Sequence, residues 1–378
     1  ILAQAFFQAL QDIPCSKLAV EICCLRFLSY GMNMHKNAFI WACMACIACL
    51  AQSSGPAHER TPKGSQQPLQ ELTISAAGSR RPLRSLAVLL LALDPAAALK
   101  RVLVTGANKG IGLQICKKIV QTVPDAYVLL GSRSKTRGEK AVAAVIASDP
   151  SADGRVELVE LDVTDDSSVS AAAKAVAAKY PDEAHPLYGI CNNAGIGFGK
   201  SIAETLSVNF YGTKRVSEAF LSLLDPATGR ICNVASASGP MYVSGCNKQD
   251  TEFFTSRETT PEELEAALQK MKGAFDIDGT AYGLSKAAVN LWTMQLAAAN
   301  PNLRINSCSP GYILTDLTRG MGATKTPEQS NCHVAPLFLL FGDVPQPEVN
   351  KGRYYGSDAI RSPLDCYRGP GDPPYKGD

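Results

Sequence analysis

Arg101-Val-Leu-Val-Thr-Gly-Ala-Asn-Lys-Gly-Ile-Gly112 is the stretch of sequence that decides the fold. The β-branched, apolar residues Val102 to Val104 predict a buried strand, and the glycines that follow are spaced Gly-x-x-x-Gly-x-Gly. A helix is predicted to begin at Gly110. Glycines between a strand and a helix N-terminus let the backbone approach a pyrophosphate, whose charge meets the positive end of the helix dipole. The pattern therefore predicts a dinucleotide site, the alternative being a plain glycine-rich turn.

Predicted strands and helices alternate from Lys100 onward, which indicates βαβ units. The predicted strands are 101–104, 126–130, 156–161, 187–191, 230–234 and 304–307, with 354–356 as a candidate seventh. The predicted helices are 110–122, 136–147, 167–179, 202–223, 260–270 and 280–299. We therefore expect an α/β fold with a Rossmann-like doubly wound parallel sheet in a single catalytic domain.

The composition favours a globular protein with balanced charge. The 378 residues are 46% hydrophobic, and 37 basic side chains stand against 35 acidic ones. This balance gives no reason to expect a nucleic-acid partner. Of the 13 cysteines, the seven in the body of the chain show no paired spacing, so we expect reduced thiols there rather than a disulfide framework. Cys43, Cys46 and Cys49 lie in an apolar run without a fourth ligand, so we expect no metal site.

Residues 1–97 carry none of the motifs of the body and are interpreted as an N-terminal extension, disordered or serving as a targeting leader. A short basic head and the apolar run 38–50 are typical of a signal peptide. A basic linker, 52–85, and a second apolar run, 85–93, complete a pattern like that of two-part plastid leaders. Untranslated or misassembled sequence is the alternative. We expect a cytoplasmic or organellar protein, with the catalytic domain at 98–361, an insertion at 239–279 and an irregular tail at 362–378.

A second motif, Tyr282-Gly-Leu-Ser-Lys286, lies at the start of a predicted helix, where a four-residue spacing places the phenol and the ammonium on one face. The same chain holds Asn192-Asn-Ala-Gly195, Asn209, Asn233-Val-Ala-Ser236 and Ser309-Pro-Gly311. Together with the glycine loop, and in this order, these motifs resemble the short-chain dehydrogenase/reductase family over about residues 100–357.

The end of the second predicted strand, Leu130-Gly-Ser-Arg133, indicates which dinucleotide binds. Sites for NAD usually place an acidic residue there, on the ribose 2′-hydroxyl. This chain has no acid at that point, and Arg133 can pair with a 2′-phosphate, helped by Lys109 and Arg137. The sequence therefore predicts NADP(H), the alternative being that these cations only form a solvated surface.

The resemblance also implies a set of cofactor-binding positions. Asp162 would meet the adenine amine and Val163 its face, while Pro310 and Gly311 would contact the carboxamide. The expected cofactor-binding residues are Gly106, Asn108, Lys109, Gly110, Ile111, Gly112, Arg133, Arg137, Asp162, Val163, Asn193, Ala194, Gly195, Tyr282, Lys286, Pro310 and Gly311.

Reduction of a carbonyl needs a hydride and a proton, and four residues are expected to be catalytic. Tyr282 would donate the proton, and Lys286 would lower the phenol's pKa and hold the nicotinamide ribose. Ser236 would hydrogen-bond the substrate oxygen, with Ser238 as its rival. Asn209 would hold a water behind the lysine. This mechanism needs no histidine, and His185 and His333 have no motif around them.

The long gap between Ser236 and Tyr282, with Asn108-Lys109 and Thr136-Arg-Gly138, resembles the monomeric NADPH-dependent carbonyl reductases within the family. We therefore expect NADPH-dependent reduction of a ketone, aldehyde or quinone by a monomer. A reductase of lipid or pigment precursors and a non-enzymatic NADP-binding regulator are the alternatives. The segment 196–208 is shorter than in the family, so substrate preference does not carry over. Met241, Tyr242 and Tyr312 are candidate pocket residues.

We predict that residues 1–97 are dispensable for folding and activity, because they share no motif with the rest of the chain. A chain that begins at Ala98 should be soluble and should turn over substrate in a reductase assay. Insolubility or lost turnover in that shortened chain would contradict the prediction.

Overall fold

The computed structural model of the chain describes residues 99–272, 280–344 and 352–377. Within them, one parallel sheet has the strand order β3-β2-β1-β4-β5-β6-β7. The strands are β1 (Lys100–Val104), β2 (Ala126–Ser132), β3 (Val156–Glu160), β4 (Gly189–Asn192), β5 (Arg230–Val234), β6 (Arg304–Cys308) and β7 (Tyr354–Tyr355). The expected doubly wound parallel sheet is confirmed, including its seventh strand.

Helices cover both faces of this sheet. They are α1 (Gly110–Thr122), α2 (Lys135–Ser148), α3 (Asp166–Lys179), α4 (Ile202–Leu206), α5 (Thr213–Phe220), α6 (Ser238–Ser244), α7 (Lys248–Thr255), α8 (Pro261–Met271), α9 (Thr280–Ala299) and α10 (Val334–Phe341). The helix predicted over 202–223 is interrupted by a π-helical stretch, Ser207–Gly212. The helices α6, α7 and α10 were not predicted.

The core lies in two layers, one on each face of the sheet, because side chains of a strand alternate between faces. Leu103 of β1 belongs to the layer beneath α3, α5 and α9. Its neighbours Val102 and Val104 belong to the layer beneath α1 and α10. Since β1 is buried on both sides, its sequence is a continuous apolar run rather than an alternating one.

The strand order reverses direction at β1, which has β2 on one side and β4 on the other. In doubly wound sheets, the crevice at the carboxyl ends of the two strands beside such a reversal is where ligands bind. The glycine loop follows β1 and the Asn-Asn-Ala-Gly segment follows β4, so both motifs lie at this crevice.

The segment 239–279, expected to be an insertion with one polar helix, contains α7, α8 and most of α6, while 273–279 lie outside the described residues. Helix α8 begins with a capping box formed by Thr260 and Glu263 and buries Leu264 and Leu268.

Glu265 of α8 accepts a hydrogen bond from Tyr211 at 2.9 Å. The carbonyl of Thr259, beside the N-cap of α8, accepts one from Gln295 of α9 at 2.8 Å. The insertion therefore packs on the elements that carry Asn209 and Tyr282.

Two other regions bear on the expected organisation. No helix or strand lies within residues 362–377. Arg368 nevertheless anchors this tail through two hydrogen bonds to Asp358, at 3.0 and 2.8 Å. In the three described ranges, no helix combines the length and the apolar character that crossing a membrane requires.

Helix α6 approaches α9 closely because two glycines face each other's helix. A Cβ placed on Gly239 would lie 3.0 Å from the Lys286 carbonyl carbon, and one on Gly283 would lie 2.8 Å from the Cβ of Tyr242. Contacts this short require backbone or a Cβ to move. The small residues therefore set the distance between α6, which follows Ser236, and the helix that carries Tyr282.

We predict that Gly239→Ala and Gly283→Ala each lower the free energy of unfolding by about 1–3 kcal/mol, because overpacking a tight contact forces the helices apart. Chemical denaturation measures the change. Gly245→Ala is the matched control, since a Cβ there would meet only the Tyr242 carbonyl oxygen, at 3.5 Å. Equal stability of the Gly239 variant and the wild type would contradict this account of the packing.

Candidate active site

The glycine loop has the backbone geometry that its sequence predicts. Gly106 and Gly110 have φ angles of +63° and +60°, a region that favours glycine. A Cβ on Gly106 would lie 2.8 Å from the Cα of Ala194, and one on Gly112 would lie 2.4 Å from the Asn193 side chain. The loop therefore lies against the segment after β4 with no room for side chains.

Thr105, which sequence analysis did not single out, joins the ends of β1 and β4. Its hydroxyl accepts hydrogen bonds from the backbone N–H groups of Asn193 and Ala194, both at 3.0 Å. The Asn193 amide in turn donates to the carbonyl of Thr105 at 2.9 Å. These bonds hold the two expected cofactor-binding segments together. The signal that could have found Thr105 is its position directly before the first glycine.

The end of β2 presents cations at the surface. Arg133 is exposed directly after Ser132, and Arg137 is exposed in the first turn of α2. Burial alone would raise the pKa of Asp162, but hydrogen bonds from Thr164 and the charges of Arg133 and Arg215 bring it below its usual value. Asp162 is thus a carboxylate close to Arg133, on the side of the crevice where the adenine end of a dinucleotide is expected.

Lys109 makes a contact that the sequence did not indicate. Its Nζ lies 2.5 Å from Oδ2 of Asp316, which also binds Arg319 at 2.8 Å. Asp316 belongs to the segment after β6, so this segment lies across the glycine loop. A Cβ on Gly110 would also meet Thr315, at 3.7 Å. In the described structure, the charge of Lys109 is thus paired with Asp316 at the surface of the loop.

Tyr282 and Lys286 lie together on the buried face of α9. Tyr282 is 8% exposed and Lys286 only 4%. The Lys286 Nζ donates a 2.8 Å hydrogen bond to the carbonyl of Val234 and lies 5.7 Å from the centre of the Tyr282 ring. The helix thus brings both groups to the end of β5, as the four-residue spacing predicted.

Ser236, rather than its rival Ser238, faces the tyrosine. A hydrogen bond between Ser236 and Tyr282 lowers the pKa of the phenol. Ser238 instead contacts Ser236, with its backbone N–H 3.2 Å and its hydroxyl 3.3 Å from the Ser236 Oγ. Ser236 is therefore the serine whose hydroxyl acts on the Tyr282 phenol.

The pKa of Tyr282 is raised, whereas the sequence analysis expected Lys286 to lower it. Burial raises the pKa of Tyr282 above its usual value, and the bond to Ser236 offsets only part of this effect. Burial also lowers the pKa of Lys286, to about 8. Removing both groups from water favours their neutral forms. The tyrosine is consequently a neutral phenol, whereas the lysine changes charge just above neutral pH.

Asn209 lies in the π-helical stretch and is fully buried. Its amide donates to the Ile196 carbonyl and to the Ser285 hydroxyl, both at 3.0 Å, and accepts from the Ile196 N–H at 2.9 Å. A Cβ on Gly195 would lie 3.3 Å from the Asn209 Oδ1 and 3.8 Å from the Lys286 Nζ. Asn209 therefore fixes the segment after β4 to α9, beside the lysine.

The segment after β6 closes the other side of the crevice. Gly311, which follows Pro310, has a φ of +93°, and its N–H donates to the Ser309 hydroxyl at 3.2 Å. Tyr312 is 57% exposed, and its hydroxyl donates to the carbonyl of Met321. Met241 is also exposed.

Tyr242, by contrast, packs edge-on against Phe254 with ring centres 5.7 Å apart, so its ring forms part of the contact between α6 and α7.

Phe198 is a residue at the site that sequence reasoning missed. Its ring centre lies 4.8 Å from that of Tyr282, at an angle of 45°. The only sequence signal is an aromatic residue between two glycines, Gly197-Phe-Gly199, shortly after the Asn-Asn-Ala-Gly motif.

His185 and His333 have no hydrogen bond to these residues. His185 Nδ1 is 3.0 Å from the Ser222 carbonyl oxygen, and His333 precedes α10. Over the described part of the chain, no group of three or more His, Cys, Asp or Glu residues is arranged to hold a metal ion.

Comparisons with known proteins show the family of this chain. A family model described as short chain dehydrogenase matches residues 100–247. Carbonyl reductase [NADPH] 1 of Homo sapiens is 30% identical over 269 aligned positions, which cover 65% of this chain and 92% of that protein. The (+)-neomenthol dehydrogenase of Arabidopsis thaliana is 28% identical over 281 positions, covering 64% and 92%.

Among solved structures, salutaridine reductase from Papaver somniferum superposes with a TM-score of 0.57 at 26% identity, covering 65% of this chain and 97% of that one. The range matched by the family model includes the glycine loop, Asn209 and Ser236. Because the chain is 30% identical to the human protein and covers 92% of it, it belongs to the short-chain dehydrogenase/reductase family.

Proposed function

We propose that this protein reduces the carbonyl of a ketone, aldehyde or quinone to an alcohol with NADPH. The observation that carries the proposal is the pairing of the Tyr282 and Ser236 hydroxyls, with Lys286 behind them, at the carboxyl end of the sheet. Two hydroxyls side by side can hold one carbonyl oxygen. Relatives named carbonyl reductase [NADPH] and neomenthol dehydrogenase support an oxidoreductase that uses a nicotinamide cofactor.

The crevice fits a dinucleotide. Because Gly106 and Gly112 have no side chains, the glycine loop packs directly against Ala194 and Asn193, which brings the ends of β1 and β4 together at the crevice. Lys109, the residue before α1, makes no side-chain capping bond to the helix N-terminus, so an anion can meet the positive end of the helix dipole. In this proposal the remaining expected cofactor residues border the same crevice. NADPH would supply the hydride.

The protein's own groups would supply and stabilise the proton. At neutral pH the raised pKa keeps Tyr282 as a phenol, which is the form that a general acid needs. As hydride reaches the carbonyl carbon, the developing oxyanion would take the Tyr282 proton while accepting a hydrogen bond from Ser236. The Lys286 ammonium would then stabilise the phenolate that remains. The positive charge would therefore act after proton transfer begins rather than in the resting protein.

We also propose that the catalytic body spans 98–361 and is a single chain in solution. Glu262 and Glu263 of α8 are exposed on the insertion that covers the elements carrying Asn209 and Tyr282. A partner docking on this surface would have to desolvate those carboxylates, which is costly without opposite charges.

A reductase of lipid or pigment precursors is the second candidate. It is favoured by the exposed apolar side chains of Phe198, Met241 and Tyr312 near the site. A purely regulatory NADP-binding role is disfavoured because both hydroxyls and the lysine are in place.

We predict that Tyr282→Phe slows carbonyl reduction by about 10²–10⁴-fold, the usual contribution of a positioned general acid, while NADPH affinity stays unchanged. Single-turnover oxidation of NADPH measures the rate, and fluorescence titration measures the affinity. Tyr188→Phe, which removes a phenol hydroxyl remote from the crevice, is the control and should leave both values unaltered. Retention of the full rate in the Tyr282 variant would rule out the proposed role.

We predict that Arg133→Asp weakens NADPH binding about 10- to 100-fold and leaves NADH binding nearly unchanged, because a charge-assisted hydrogen bond to the 2′-phosphate is lost. Dissociation constants for both dinucleotides test this. Lys140→Asp makes the same charge change further along α2, where the side chain is also exposed, and should affect binding less. Equal losses for NADPH and NADH would contradict the assignment.

A further inference from the structure

Phe198 covers the tyrosine that we propose as the general acid. The two ring centres are 4.8 Å apart. Tyr282 is only 8% exposed, whereas Phe198 is 39% exposed. One part of the Phe198 ring is therefore in contact with Tyr282, and another part is open to whatever approaches Tyr282 from solvent.

The position of Phe198 is set by anchors on both sides of a short loop. On one side, the backbone of Ile196 is held by Asn209 through two hydrogen bonds of 2.9 and 3.0 Å. On the other, Ser201 begins α4 in a capping box with Glu204. Only a few residues separate these anchors, so the backbone that carries Phe198 is kept close to Tyr282.

The two glycines beside Phe198 allow this tight loop. A Cβ on Gly197 would lie 2.4 Å from Cγ of Leu317, so the loop packs against the segment after β6. Gly199 has a φ of +74°, and a Cβ there would meet nothing within 4 Å. Gly197 therefore allows the loop to pack closely against Leu317. Gly199 allows the left-handed turn that follows Phe198.

A substrate must accommodate this ring. In this inference, the carbonyl oxygen reaches the hydroxyls of Tyr282 and Ser236. The group next to the carbonyl then lies against the exposed part of the Phe198 ring, because that ring packs on Tyr282. A flat unsaturated ring can stack on, or meet edge-on, an aromatic ring at 4.5–7 Å, and such pairs stabilise beyond area burial. A puckered aliphatic ring of the same size lacks this interaction.

We propose that Phe198 is a specificity-determining residue, which makes the protein prefer carbonyls attached to a planar unsaturated ring, such as aryl ketones and quinones. This inference rests on the proposed carbonyl reduction and names its substrate class. The short segment after β4 produces the preference, because it brings Phe198 onto Tyr282.

The test compares acetophenone with cyclohexyl methyl ketone, which have the same carbon skeleton but differ in the planarity of the ring. The ratio of their kcat/KM values is measured for the wild type, Phe198→Leu and Phe198→Tyr. Comparing ratios between variants cancels the different intrinsic reactivities of the two ketones. Tyr375→Leu, which removes a partly exposed ring from the tail, is the control.

We expect Phe198→Leu to lower the ratio about tenfold, chiefly through loss for acetophenone. Phe198→Tyr, which keeps the ring, should restore the wild-type ratio, and Tyr375→Leu should not change it. An unchanged ratio in Phe198→Leu would overturn the inference while leaving carbonyl reduction intact. Equal ratios in Phe198→Leu and Phe198→Tyr would also overturn it, because planarity would then be irrelevant.

A binding measurement separates this inference from the proposed reaction. Calorimetry on the complex with NADP⁺ gives dissociation constants for both ketones without turnover. Tighter binding of acetophenone by the wild type, lost in Phe198→Leu, supports the inference even if neither ketone is reduced. Equal affinity of the wild type for both ketones would contradict it.

Discussion

The hydrogen bond from the Lys286 ammonium to the Val234 carbonyl joins α9 to the end of β5, and the arrangement of the site depends on it. Val234 lies two residues before Ser236, so the bond fixes the strand end that carries the serine relative to the helix that carries Tyr282. Gly239 and Gly283 let α6, the helix that follows Ser236, pack closely against α9. Asn209 adds a third connection by bonding both Ile196 and Ser285.

Much of this arrangement could be predicted because it depends on short-range patterns. The apolar run before the glycines predicted β1, and the bounds of α1, β5 and α9 agree with those predicted. The spacing of Tyr282 and Lys286 predicted a shared helical face because a helix has that period. Ser236 was favoured over Ser238 from its distance to Asn233. Its hydroxyl lowers the pKa of Tyr282, and its role toward the substrate oxygen stays a prediction.

Other features could not be predicted, because they arise from packing between distant segments. The contact between Phe198 and Tyr282 joins residues far apart in sequence, and so does the ion pair between Lys109 and Asp316. Helix α10 is apolar throughout, and a short apolar run cannot be assigned to helix or strand by its period. The pKa of Tyr282 was expected to fall because only the neighbouring charge was considered, whereas burial, which dominates, is a property of the fold.

The central claim is that a buried lysine, held by Val234, stabilises the phenolate that Tyr282 forms on giving up its proton. The pH dependence of hydride transfer in a single turnover tests it most directly. Because the pKa of Lys286 is about 8, the account predicts that the rate falls as pH rises through that value. In Lys286→Arg the guanidinium stays charged, so the rate, although lower throughout, should not fall over the same range. A wild-type rate that stays constant through that range, or an equal alkaline loss in the arginine variant, would contradict the account.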